Sequence, residues 1–216
     1  MSEQAQKEQE AARAPGRPRS AASHQAILDA TLHLVAENGM HGMSMDAVAA
    51  RAGVSKATIY RRWKSKEELV EGLLDQLLAL VQPIDTGNPR EDFISTGRAA
   101  VAMAGPGIRL LPALAGEAVT NPEFGEVFRQ KLVKPRQAQI RSFLERAVDA
   151  GEIRADADLD FFSDMAFCTV IFRSQIADNA LGKLAEDQAR VWDVIVETVG
   201  TPKGKRALAK RRREAG

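Results

Sequence analysis

The sequence predicts an all-α fold, and three observations predict it. Apolar residues recur at helical spacing from Ser20 to Val199. No stretch alternates apolar and polar residues in the manner of a strand, and no internal repeat is found. Glycine, proline and asparagine punctuate the chain at intervals that suit helix ends and short turns.

Residues 1–19 read as a disordered basic arm. Pro15-Gly16-Arg17-Pro18-Arg19 closes a polar leader that has no apolar periodicity with which to pack. The first helix starts near Ser20. Ile27, Thr31, Leu34 and Val35 share one face, Leu28 and Leu32 widen it, and Asn38-Gly39 is a fitting stop. Ser44 caps a short helix over Met45–Ala52, with Asp46 complementing the dipole in its first turn. Gly53 ends it. Ser55 caps a third helix, Lys56 to Trp63, whose inner side carries Ile59 and Trp63. Ser65-Lys66-Glu67-Glu68 is a capping box that opens a fourth, Leu-rich helix, which Pro83 halts.

After a connector at 84–88, helices are expected near 89–104, 107–119, 122–150, 158–180 and 184–199. Pro135 should kink or split the third of these. The units are then 1–19 (arm), 20–82 (three-helix unit with its exit helix), 83–200 (helical domain) and 201–216 (disordered basic tail).

Composition narrows the function. The chain has 216 residues, 44% hydrophobic and 27% charged, with a net charge of +1, which argues against a protein that coats polyanions in bulk. No apolar run approaches the ~20 residues of a membrane-spanning helix. Met1 to Ala14 lacks the apolar core of a secretory leader. A single cysteine, Cys168, forms no internal disulfide and points to a reduced, cytoplasmic setting. No cofactor or metal is expected. His24, His33 and His41 lack partner ligands, and Asp156, Asp158 and Asp160 lack the glycine and terminal glutamate of a calcium loop. No phosphate-binding glycine loop or nucleophile elbow is present, so an enzyme is not expected.

The charge is segregated. Residues 83–202 carry 13 basic and 18 acidic groups, whereas 203–216 carry seven and one. Arg51 to Lys66 holds six basic residues and no acid. That run coincides with two short helices joined across Ala52-Gly53-Val54-Ser55, a helix–turn–helix layout in which glycine supplies the tight turn and Val54 plugs the helix junction. With Ile59 turned inward, the second helix offers cations, hydroxyls and a methyl-sized contact, the groups that read DNA.

The run from Met45 to Leu69 resembles the TetR family of bacterial transcriptional repressors. A small-residue helix is followed by Ala-Gly-Val-Ser, a Thr58-Ile59-Tyr60 helix, an aromatic at Trp63, Ser65-Lys66 and Leu69. The resemblance implies DNA contacts from Ser55, Lys56, Ala57, Thr58, Tyr60 and Arg61, with Arg62 at the same helix end. It also implies phosphate anchoring at Ser44 and Lys66. Trp63 stands where the family more often has phenylalanine and is read as core. Asp46 departs from relatives with a basic residue there.

Arg17 and Arg19 are read either as minor-groove contacts or as part of a basic leader. The tail, ending in Lys210-Arg211-Arg212-Arg213, is read either as a phosphate, RNA or acidic-partner contact or as a solvated extension. The resemblance further implies a homodimer on a palindromic double-stranded DNA operator, released by a small apolar or amphipathic effector. Met103, Leu110, Leu114, Phe124, Phe128, Phe143, Phe162 and Met165 are the pocket candidates. Phe172, Ile176, Ala189, Trp192, Ile195, Val196 and Val199 are the dimer candidates. The competing reading is a helical adaptor acting through the basic tail.

Overall fold

A computed structural model describes residues 17–79, 84–104, 110–175 and 184–215, with side chains for 20–79, 84–100, 110–169, 172 and 186–214. The described residues are helical, with one isolated β-bridge between Ile153 and Gly200. Helix α1 spans Arg17–Gly42 and is broken at Gly39, whose φ of 67° takes the backbone left-handed at the predicted stop. It begins before Ser20, so residues 17–19 are helical and not part of a disordered arm. Proline is tolerated at a helix start, where its missing N–H costs nothing. Residues 1–16 lie outside the described residues.

Helices α2 (Met45–Ala52), α3 (Lys56–Tyr60) and α4 (Lys66–Ala79) follow. The α3 helix is three residues shorter than its periodicity predicts. Beyond Tyr60 the chain turns so that Trp63 enters the core, where it stacks on His24 at 5.0 Å and lies against Gly72. The capping box forms in part: Ser65 Oγ accepts from the Glu68 N–H, but the Glu68 carboxylate accepts from the Lys64 N–H, one residue before the cap, and not from Ser65.

The second half contains α5 (Pro89–Ala104), α6 (Leu111–Thr120), α7 (Pro122–Phe128), α8 (Lys134–Asp149), α9 (Leu159–Gln175), α10 (Leu184–Val199) and α11 (Pro202–Ala215). A π-helical turn, Arg129–Val133, joins α7 to α8 just before Pro135. Proline has no N–H to continue the ladder, and the wider turn accommodates the break.

Helix α11 corrects the expected disordered tail. Thr201 Oγ1 accepts from the Gly204 N–H, Leu208 is buried, and Gly204 sits where a side chain would meet the Glu152 carbonyl. The segment is helical because it docks. With a single buried leucine among seven cations, its apolar signal in sequence is faint.

Two apolar cores organise the chain. The first joins α1–α4 to α6, α7 and the π-turn: Ile27, Val48, Ile59, Trp63, Leu69 and Leu74 pack with Leu110, Leu114, Phe124, Phe128 and Leu132. The second joins α5 and α8–α11 through Phe93, Phe143, Phe162, Trp192, Ile195 and Leu208. The first core thus crosses the 82/83 boundary expected from sequence. The pocket candidates divide between the two. Leu110, Leu114, Phe124 and Phe128 are in the first, Phe143 and Phe162 are in the second, and Met165 packs against the second. The Met103 side chain lies outside the described residues.

The dimer candidates need a sharper correction. Trp192, Ile195 and Val196 are 0% exposed and Val199 is 6% exposed within the chain itself, so they are core and offer no surface. The apolar stripe of α10 faces inward, and Ala189 is half-buried on the same core. Phe172 is exposed, and Ile176 lies outside the described residues.

Candidate nucleic-acid interface

The α2–α3 pair is closed by backbone geometry. Gly53 adopts φ 65°, ψ 32°, and its N–H donates to Ala49 and Ala50 carbonyls. The Val54 N–H donates to the Ala49 carbonyl at 3.1 Å, and the half-buried Val54 side chain packs on the first core. Ser44 Oγ caps α2 by accepting from the Ala47 N–H, and Ser55 Oγ caps α3 by accepting from the Thr58 N–H. Caps of this kind typically stabilise a helix by ~1 kcal/mol. Both serines are exposed and hold their helix N-termini at the same edge as the cations.

Ile59 at 0% exposure and Trp63 at 8% fix the inner side of the recognition element. Lys56, Ala57, Tyr60 and Arg61 are exposed on the other side. Tyr60 is 44% exposed, with its ring and hydroxyl open to a partner. Arg61 makes no side-chain hydrogen bond or ion pair among the described residues and is available to a phosphate or base edge.

The remaining candidates are engaged within the chain. Lys56 Nζ lies 2.6 Å from Asp46 Oδ1, and this hydrogen bond holds the ammonium above the usual lysine range. Thr58 Oγ1 pairs with Ser55 Oγ at 2.9 Å. Arg62 turns back, its Nη2 donating to the Ser20 carbonyl and hydroxyl at 2.8 Å each. It therefore ties the recognition element to the start of α1, while Arg61 projects outward. Lys66 reaches the Met40 carbonyl at 3.4 Å, bracing α4 against the end of α1. The Arg17 and Arg19 side chains lie outside those described.

Three contacts are not legible in the sequence. Asp46 is both a first-turn residue and the partner of Lys56, ten residues away across the turn, a spacing that no single-helix rule connects. His41 Nε2 lies 3.2 Å from the buried Glu117, linking the end of α1 to α6. Lys131 in the π-turn adds a second tie, at 2.7 Å from Asp75 of α4. His24, under Trp63, has its pKa lowered by burial and then by the Arg62 charge. Among the described residues no group of three or more metal-ligating side chains occurs, and no helix is long and apolar enough to cross a membrane.

A glycine-turned pair of capped helices, the second presenting cations, a tyrosine and a small methyl outward, defines a helix–turn–helix DNA-binding protein. Comparison with known proteins agrees. Residues 27–73 match the bacterial regulatory proteins of the tetR family, and residues 83–189 match the tetracyclin repressor-like C-terminal domain.

The chain is 37% identical over 174 residues to an HTH-type transcriptional regulator of Mycobacterium tuberculosis, covering 80% of this chain and 86% of that protein. It is 33% identical over 184 residues to the DNA-binding transcriptional repressor TetR of Mycobacteroides abscessus, covering 81% and 93%. The Salmonella enterica GusR structure shares the fold, with a TM-score of 0.66 at 22% identity over 81% of this chain and 95% of that one. The chain belongs to the TetR family and is a DNA-binding transcriptional regulator, not an enzyme.

Proposed function

We propose that this chain is a homodimeric repressor. In this reading α3 enters the major groove of a palindromic operator, and a small apolar or amphipathic effector releases it. The observation that carries the reading is the sidedness of α3: Ile59 is fully buried, while Lys56, Ala57, Tyr60 and Arg61 face outward. Ser44, Ser55 and Lys66, at three neighbouring helix starts, supply phosphate contacts beside them. A repressor activity is named for the Mycobacteroides abscessus relative. One five-residue helix reads few bases, so two copies on half-sites ~34 Å apart give the specificity that one lacks.

The dimer face keeps the two helices the sequence suggested, and Phe172 among their residues, but uses their outward sides in place of the buried Trp192, Ile195, Val196 and Val199. Phe161 and Phe172, eleven residues apart, share one face of α9 and are 60% and 54% exposed. Val194 on α10 is 47% exposed. Exposed large side chains at helical spacing support a helix-against-helix contact between two copies. Release follows from the shared first core. An effector that favours another placement of α6 and α7 moves the surfaces against which α1 and α4 pack, and linkage then weakens DNA binding.

The test is capture of sheared genomic DNA by the purified chain, followed by sequencing. One enriched palindrome with half-sites a helical turn or a multiple apart is the expected result. Retention blind to sequence would contradict the proposal.

A further inference from the structure

Helix α11 carries a cationic surface that belongs to neither helix of the α2–α3 pair. Its inner side is Gly204 and Leu208, both buried. One exposed flank holds Lys203, Arg206, Lys210 and Arg213 at i, i+3, i+7 and i+10, and Lys205 and Arg212 are exposed on the flank across the helix from it. The row of four spans ten residues, about 15 Å of helix.

Internal pairing accounts for only part of this charge. Arg212 meets Glu197 at 2.6 Å, and Lys203 donates to the Ala150 carbonyl. Lys210 is 3.7 Å from Glu214, and Arg213 Nε donates only to its own helix, at Ala209. Lys205 and Arg206 have no side-chain partner among the described residues.

Helix stability does not explain the arrangement. Cations in the last turn suit the dipole, but Lys203, Lys205 and Arg206 stand in the first half, where the dipole is positive. No acid occupies the first turn. An anion outside the chain would offset that repulsion.

Placement separates this face from the recognition helix. Helix α4 and its neighbours meet the π-turn and the start of α8, through Lys131 and Arg136. Helix α11 meets the other end of α8, at Ala150–Glu152. Arg136 and Ala150, the C-cap of α8, are fourteen residues apart along that helix, about 21 Å. A membrane surface is a poor fit, because the apolar side of α11 is committed to the core and none is left to insert. An extended row of cations with no reading side chains matches a duplex backbone, which presents one charge per ~1.7 Å of axis.

We propose that α11 is a second, sequence-independent DNA-binding surface that contacts the phosphates of a duplex segment other than the one held by α3. The claim goes beyond operator recognition and does not depend on it. The test uses the full chain carrying Lys56→Ala and Tyr60→Ala, titrated onto a duplex of unrelated sequence across a salt series. Binding should persist and be steeply salt-dependent. Adding Lys205→Ala, Arg206→Ala and Arg213→Ala should weaken it at least about tenfold and flatten the log–log salt slope by about 0.9 per lost contact.

Charge-keeping exchanges, Lys205→Arg, Arg206→Lys and Arg213→Lys, should leave both values unchanged. The same affinity and slope after the three alanine exchanges would overturn the proposal. So would retention of polyglutamate as tight as that of duplex at equal salt, which reassigns the face to an acidic protein. Failure of the operator reading is scored separately, by Lys56→Ala and Tyr60→Ala leaving operator affinity untouched.

Discussion

The two apolar cores do different work although they are built from the same residue types. The first places Leu114, Phe124 and Leu132 of the second half against Ile27, Ile59 and Leu74 of the DNA-binding unit. The second closes α5 on α8–α11 through Phe93, Trp192 and Ile195 and contains no residue of α1–α4. A disturbance in the first core is therefore felt at the recognition helix, whereas the second holds together the body that the first is mounted on.

Core truncation should separate the two most strongly. Leu114→Ala and Ile195→Ala should each cost about 2–5 kcal/mol of stability, read by denaturant unfolding. Only Leu114→Ala should also weaken DNA binding of the folded fraction. Equal effects on DNA affinity would merge the two cores functionally.

A smaller effect is expected at the polar tie. Lys131→Ala removes a largely exposed pair with Asp75 and should cost about 0.2–1 kcal/mol. The expected signature is a changed dependence of DNA affinity on effector, with little change in unfolding midpoint. Alanine at Arg141, which pairs with Glu145 and Asp160 away from α4, should leave that dependence alone.

The smallest effect is the pH response of His24, an exposed ring stacked on Trp63 at the edge of the first core. Folding lowers the His24 pKa, so the fold favours the neutral ring. Its contribution is present above the unfolded value of about 6.5 and is lost as pH falls through the lower folded value. Stability should decline gently on acidification below neutrality, and His24→Gln should remove that component. An unchanged pH profile in the variant would assign the decline elsewhere.

The DNA-binding unit was the more legible region because its instructions are local. Ser44, Gly53, Ser55 and the Ser65–Glu68 box each act within four residues, and the structure places all of them as caps or turns. Trp63 is core, as its spacing from Ile59 predicts, but its partners Gly72 and His24 are distant in sequence, so the early end of α3 is not legible there. The second half was less legible for the same kind of reason. The stripe Trp192, Ile195, Val196 and Val199 announces a buried face but not what buries it, and the partner is this chain's own α5 and α9, not a second copy. Helix α11 was missed because its order comes from docking on Glu152 and Thr201, not from its own periodicity.

The central claim is that the outward side of α3 reads the operator. It is tested most directly by the affinity of the intact chain and of Tyr60→Ala for the enriched palindrome, with a scrambled duplex as reference. Loss of about 1–3 kcal/mol of preference for the palindrome, with helicity and unfolding midpoint preserved, is the predicted result. Undiminished preference in Tyr60→Ala, and again in Arg61→Ala, would contradict it.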